Sequence, residues 1–133
     1  MANTTFTGPV RSQNGFQSIT IDGTTGAVTV DAIFGTAVVG ATQALSGAGA
    51  VNLTTLVTSL TTTGVSQALT LADGAAGQLK VITHTVDGGS AVLTPTTKIG
   101  FSTVTFTNVG DTVTLVYTAA GWAVIGSRGV TIA

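Results

Sequence analysis

Short apolar and β-branched runs, separated by turn residues, recur along most of the chain. From residue 50 onward the runs are VNLTTLV, ALTL, QLKVITHTV, AVLTP, STVTFTNV, TVTLVYT and WAVIG. Turn-forming pairs of Asp and Gly, such as Asp73-Gly74 and Gly110-Asp111, lie between several of them. Short strands at this spacing are typical of sandwiches, barrels and related folds. The pattern therefore predicts an all-β fold, a compact antiparallel sandwich, barrel or β-prism-like domain.

Alternation within one run supports this prediction. In the run TVTLVYT, Val113, Leu115 and Tyr117 share one face of a strand, and the other face holds mainly threonine: Thr112, Thr114 and Thr118. The segments AVNLT, ALTL and AVLTP are faintly alike, but their spacings differ, so no conclusion about a repeat is drawn from them.

The N-terminal third has a different pattern. Residues 22–26, DGTTG, separate two β-branched runs and predict a hairpin. Residues 31–50 could hold a short helix, but Gly35 and Gly40 favour strands and loops. Residues 1–16, interrupted by turn residues, are predicted to form an extended arm, and residues 17–133 a single β domain.

Charge is scarce in this sequence. Only 7% of the 133 residues are charged, there is no Glu, and Thr makes up about a fifth of the chain. A surface of Thr, Ala, Ser and Gly is easily covered, because few charges must lose their water. Composition therefore predicts that the protein binds copies of itself.

The same composition weighs against several classes of partner and cofactor. The net charge is −1 and the four basic residues are scattered, so no nucleic-acid partner is expected. There is no Cys, and no loop holds more than one carboxylate, so no cofactor or metal is predicted. No apolar run is long enough for a transmembrane helix, and no export signal is visible, which predicts cytoplasmic assembly without a membrane partner.

The only His, His84, is the main candidate for catalysis. It could act with Asp87 and Ser90 in a hydrolase, yet alternation places it on a strand face with Ile82 and Val86. No nucleophile elbow is present. We therefore predict that the protein is not an enzyme and that His84 has a structural role.

Aromatic residues give two further predictions. Trp122 could stack on a sugar, but packing in the core or a subunit interface is favoured, and the same position is predicted for Tyr117, Phe106 and His84. In the arm, Phe6, Pro9, Arg11 and Phe16 are predicted to contact a partner, with Arg11 fixing the register through a carboxylate.

Two stretches resemble virion proteins of tailed bacteriophages. These are FTGPVRSQNGF near the N-terminus and the succession LTLADGAAGQLKVI, DGGSAVLTPT, STVTFTNVGDTVTLVY and GWAVIG. They are similar to capsid decoration (cement) proteins and to related tail-fibre or tailspike end domains. The resemblance implies a homotrimer on the exterior of the capsid, with the arm contacting the major capsid protein. A tail-fibre or tailspike module that recognises host glycans is the alternative.

Overall fold

The computed structural model describes residues 16–34 and 38–133, and every regular element among them is a β-strand. The all-β class is therefore confirmed for this part of the chain. Internal contacts divide the chain into two compact units, residues 1–40 and 41–133, which are described separately below.

The first unit contains a three-stranded antiparallel sheet. Its strands are β1 (Phe16–Ile21), β2 (Val28–Phe34) and β3 (Val38–Gly40), in that order. Between β1 and β2, Asp22 Oδ1 accepts hydrogen bonds from the backbone N–H groups of Thr24 and Thr25, both at 2.8 Å. The predicted hairpin is thus confirmed. Residues 1–15 of the predicted arm lie outside the described residues, so the division after residue 16 stays a prediction.

The second unit consists of two five-stranded sheets. Its strands are β4 (Thr42–Ser46), β5 (Gly49–Val51), β6 (Val57–Thr61), β7 (Gln67–Leu71), β8 (Leu79–Val86), β9 (Ala91–Pro95), β10 (Val104–Phe106), β11 (Thr112–Thr118), β12 (Gly121–Arg128) and β13 (Thr131–Ile132). One sheet has the order β12-β11-β8-β6-β4 and the other β13-β10-β9-β7-β5.

Consecutive strands from β4 to β9 alternate between the two sheets. Each strand pairs in parallel with the next strand but one: β4 with β6, β6 with β8, β5 with β7, and β7 with β9. The chain therefore winds through three coils of two strands each, as in a solenoid. Strands β10 to β13 then extend both sheets by antiparallel pairing.

This topology corrects part of the predicted architecture. The expectation of antiparallel sheets was wrong for β4 to β9, and the sheets do not close into a barrel. The physical reason is that each connection in this region crosses to the opposite sheet, and a strand that returns one coil later runs parallel to the first. Turn residues mark such corners as strongly as they mark hairpins.

Buried side chains from both sheets form one apolar core. Neighbouring strands contribute residues in register, for example Leu69 of β7, Leu93 of β9 and Val104 of β10, each at most 1% exposed. On β11, Val113 and Leu115 are fully buried, as the alternation of that run predicts. The core thus consists of rows that run across the strands from coil to coil.

Candidate functional site

Polar side chains interrupt this core along β8 and its neighbour β6. Lys80 and His84 are both fully buried, and they flank Ile82 on the inward face of β8. The predicted grouping of His84 with Ile82 is confirmed. Val86, however, is 53% exposed, because the pairing of β6 with β8 shifts register after His84. Each buried polar group therefore needs a partner from the corners of the coils.

The imidazole of His84 contacts a hydroxyl that serves several groups. His84 Nε2 lies 3.0 Å from Thr62 Oγ1, which also accepts a hydrogen bond from Gly88 N–H at 2.8 Å. The same oxygen lies 3.2 Å from the carbonyl of Gly89, which can only accept. Because the hydroxyl has one proton, we assign that proton to the Gly89 carbonyl and the Nε2–H tautomer to His84. Nδ1 is buried and has no hydrogen-bond partner among the described residues.

Two glycines allow the corner after β8 to approach this hydroxyl. A Cβ atom on Gly88 would collide with the backbone of Thr62, and one on Gly89 with the backbone of Gly64. Gly89 also has a positive φ of 143°, which side chains of L residues rarely permit. The sequence Asp87-Gly88-Gly89 therefore closes the loop tightly over His84.

Asp111 supports the same strand from the loop before β11. Its carbonyl accepts a hydrogen bond from His84 N–H at 2.8 Å, and its Oδ2 accepts from the N–H groups of Thr107 and Asn108 at 2.8 and 2.9 Å. Burial acts to raise the pKa of Asp111, but the hydrogen bonds from Thr107 and Asn108 outweigh it and the pKa lies below its ordinary value of 3.8. The carboxylate therefore stabilises the loop in its ionised form.

Lys80 is bound by the corner between β5 and β6. Its Nζ donates to the carbonyl of Thr55 at 2.8 Å and to Thr55 Oγ1 at 3.0 Å. Burial lowers the pKa of Lys80 from 10.5 to about 8. In the sequence, Lys80 is one of four scattered basic residues. It lies in phase with Ile82 and His84, but Leu79 and Val81 occupy the other phase, so the pattern alone does not identify Lys80 as buried.

The aromatic residues Trp122, Phe106 and Tyr117 pack in or against the core of the second unit. Trp122 and Phe106 are fully buried, and Trp122 Nε1 donates to the carbonyl of Ala72 at 2.9 Å. Tyr117 is partly buried and meets Trp122 edge to face, with 5.1 Å between ring centroids. The buried Trp122 ring has no face free for a sugar.

The other predicted site residues are held apart or lie outside the described residues. Asp87 Oδ1 accepts from Gly89 N–H and Ser90 Oγ from Ser66 N–H, both at 2.8 Å, whereas His84 contacts Thr62. Each member of the imagined hydrolase triad therefore has a different partner. The arm residues Phe6, Pro9 and Arg11 lie outside the described residues. Phe16 begins β1.

An apolar groove lies on the surface near the C-terminus. It has a volume of about 310 Å³ and is lined by Ile99, Gly100, Phe101, Ala123, Val124 and Ile132. Ile99 and Ile132 are each 39% exposed. Next to the lining residue Val124, Ile125 occupies a bulge in the pairing of β11 with β12 and is 59% exposed. Two large apolar side chains of the groove, Ile99 and Ile132, are thus partly exposed to solvent.

Comparison with known proteins gives no further assignment: no protein-family model and no curated protein matches this chain. Over residues 16–34 and 38–133, no helix has the length and apolar character needed to cross a membrane. The same residues contain no group of three or more His, Cys, Asp or Glu side chains placed to hold a metal ion.

Replacing Thr62 with Val tests the hydroxyl that joins His84 to the glycine corner. The change leaves His84 Nε2–H and Gly88 N–H without their acceptor, and a buried group left unpaired costs roughly 1–3 kcal/mol. We expect urea unfolding to show a loss of stability in at least this range. Thr61→Val is the matched control, because the Thr61 hydroxyl makes no hydrogen bond to the described residues. Its free energy of unfolding should stay within about 0.5 kcal/mol of wild type. Equal effects of the two variants would contradict the assigned role.

The lowered pKa of Asp111 predicts a pH-dependent contribution to stability. Because the folded-state pKa lies below 3.8, the contribution is present above that pH and is lost as the pH falls below it. At neutral pH, Asp111→Ala should cost about 1.5–3 kcal/mol, as expected for hydrogen bonds to a charged group. At strongly acidic pH, the free energies of unfolding of Asp111→Ala and wild type, measured in urea, should differ by less than they do at neutral pH. Asp87→Ala, which removes an exposed carboxylate, serves as the control, and a difference for Asp111→Ala that does not change with pH would refute the prediction.

Proposed function

We propose that this protein is a bacteriophage capsid decoration protein, which binds the outer surface of the head as a homotrimer and stabilises contacts between capsomers. The observation that carries the proposal is a rigid β-structure with little charge on its outer faces and an exposed apolar groove. The resemblance of FTGPVRSQNGF and of the stretch from Ala68 to Gly129 to decoration proteins directs it to the phage head.

The outer faces of the sheets suit contact with another protein. Hydroxyl groups on adjacent strands bond to one another: Ser59 Oγ to Thr85 Oγ1 at 2.8 Å, and Thr112 Oγ1 to Thr83 Oγ1 at 3.3 Å. A hydroxyl that already has a protein partner loses less when water is displaced. Such a face can be covered at low desolvation cost.

The exposed isoleucines beside the groove support self-association. Contiguous exposed apolar surface on a soluble protein commonly marks an interaction site. In a trimer, three arms would be held together, and each contact with the major capsid protein could be weak while the whole binds firmly. Selective binding to the assembled shell would stabilise that shell by mass action.

The alternative, a glycan-binding tail module, receives no support from Trp122, because its ring is enclosed in the core. The region that resembles virion proteins is compatible with either location on the particle. We favour the head because the resemblance at the N-terminus is to decoration proteins.

The proposal is tested by light scattering on the purified protein and by sedimentation with phage heads that lack it. We expect the mass of a trimer and saturable binding to the heads. Ile125→Asp should weaken the trimer, because it places a charge on exposed apolar surface, whereas Ser127→Asp on the exposed end of the same strand should leave it intact. A monomeric wild-type protein that does not bind the heads would contradict the proposal.

A further inference from the structure

The amine of Lys80 and the carboxamide of Asn52 contact the same hydroxyl. Lys80 Nζ lies 3.0 Å from Thr55 Oγ1, and Thr55 Oγ1 donates to Asn52 Oδ1 at 2.7 Å. The carbonyl of Thr55 accepts a second hydrogen bond from Nζ at 2.8 Å. A buried amine is therefore held one hydroxyl group away from an amide carbonyl.

The amide of Asn52 is polarised by two donors. Its Oδ1 accepts from the N–H of Thr55 at 3.1 Å as well as from Thr55 Oγ1–H. Two donors aimed at one carbonyl oxygen are the arrangement that stabilises negative charge on that oxygen during attack at the carbon. Asn52 is partly exposed, and Nδ2 makes no hydrogen bond to the described residues. A group leaving from Nδ2 therefore has access to solvent.

The surroundings of Lys80 favour a nucleophilic amine. No carboxylate among the described residues forms an ion pair with it, and burial lowers its pKa to about 8. A desolvated lysine of this kind is neutral in a larger fraction of molecules at neutral pH than an exposed one. The backbone and hydroxyl of Thr55 also restrict its position, which favours reaction with a neighbouring group.

We propose that Lys80 and Asn52 form an intramolecular isopeptide bond in the folded protein. The lone pair of Nζ attacks Cγ of Asn52, and the carbonyl electrons move onto Oδ1 between its two donors. The new Nζ–Cγ bond stays when the Cγ–Nδ2 bond breaks. One proton is lost from Nζ and one is gained by Nδ2, which is open to solvent and leaves as ammonia. The reaction requires no oxidant, metal or second substrate.

The bond would join β8 to the corner before β6 and close a covalent loop from residue 52 to residue 80. A cross-link of this kind restricts the unfolded chain in the way that a disulfide does, without any Cys. The proposal concerns the chemistry of one chain. It stands or falls independently of the proposed role on a phage head.

Mass spectrometry of the intact wild-type protein tests the proposal directly. We expect a mass lower by one ammonia than the mass calculated from the sequence. Because the sequence has no Lys or Arg from residue 12 to residue 79, a tryptic digest should give residues 12–98 as one peptide, uncleaved after Lys80 and lighter by one ammonia. Tandem spectra of this peptide should lack backbone fragments between residues 52 and 80, which the new bond encloses in a loop. Lys98 is the internal control, since among the described residues its Nζ donates only to the carbonyl of Pro95, at 3.1 Å, and trypsin should cleave after it. Ring closure at Asn14-Gly15 also releases ammonia, but it leaves the cleavage after Lys80 and the fragments between residues 52 and 80 unchanged, which distinguishes the two reactions.

Three variants assign the roles of the residues. Lys80→Met and Asn52→Ser each remove one reacting group, and Thr55→Val removes the hydroxyl that holds Lys80 Nζ and donates to Asn52 Oδ1. All three variants should have the full mass calculated from their sequences, with no ammonia lost between residues 52 and 80. Lys98→Met should still be lighter than its calculated mass by one ammonia. A wild-type protein of full mass, with ordinary tryptic cleavage after Lys80, would overturn the proposal, and this result needs no variant to fold.

Discussion

The second unit depends on one constraint: each strand from β4 to β9 pairs in parallel with the next strand but one. This pairing fixes which side chains stack in the core. It places Leu60 of β6 opposite His84 of β8. On the other side of β8, the antiparallel pairing with β11 places Lys80 opposite Leu115. Because buried polar groups must be hydrogen-bonded, the corners of the coils have to supply partners at these positions. Thr55 and Thr62 do so.

The distribution of polar groups links this architecture to the proposed role. Several of the few ionisable side chains are committed to the fold: Lys80 binds a corner, Asp111 binds the loop before β11, and Asp73 accepts hydrogen bonds from the N–H and hydroxyl of Thr97. The outer faces carry mainly threonine, serine and apolar residues, several of which are large and exposed. Such a surface is well suited to lie against other protein surfaces, which is what a decoration protein requires.

Strand positions could be predicted from the sequence, but strand pairing could not. The runs AVLTP and TVTLVYT coincide with β9 and β11, whereas VNLTTLV divides between the end of β5, a corner and β6. The likeness of AVNLT, ALTL and AVLTP reflects their position on the successive parallel strands β5, β7 and β9, and their spacing is unequal because the corners differ in length. The burial of Lys80 could not be predicted, because both phases of its run contain apolar residues and alternation therefore did not identify the buried face. The contacts of Asn52 and Thr55 depend on the pairing, and no local pattern could reveal them.

Backbone nuclear Overhauser effects between the strands test the central claim, the alternation of strands between two sheets, most directly. The account predicts contacts between residues 67–71 and 91–95 in ascending register, with Gln67 opposite Ala91 and Leu71 opposite Pro95. Contacts between residues 67–71 and 79–86 in descending register would instead show a hairpin of consecutive strands. That result would contradict the wound architecture and the placement of Lys80 and His84 that follows from it.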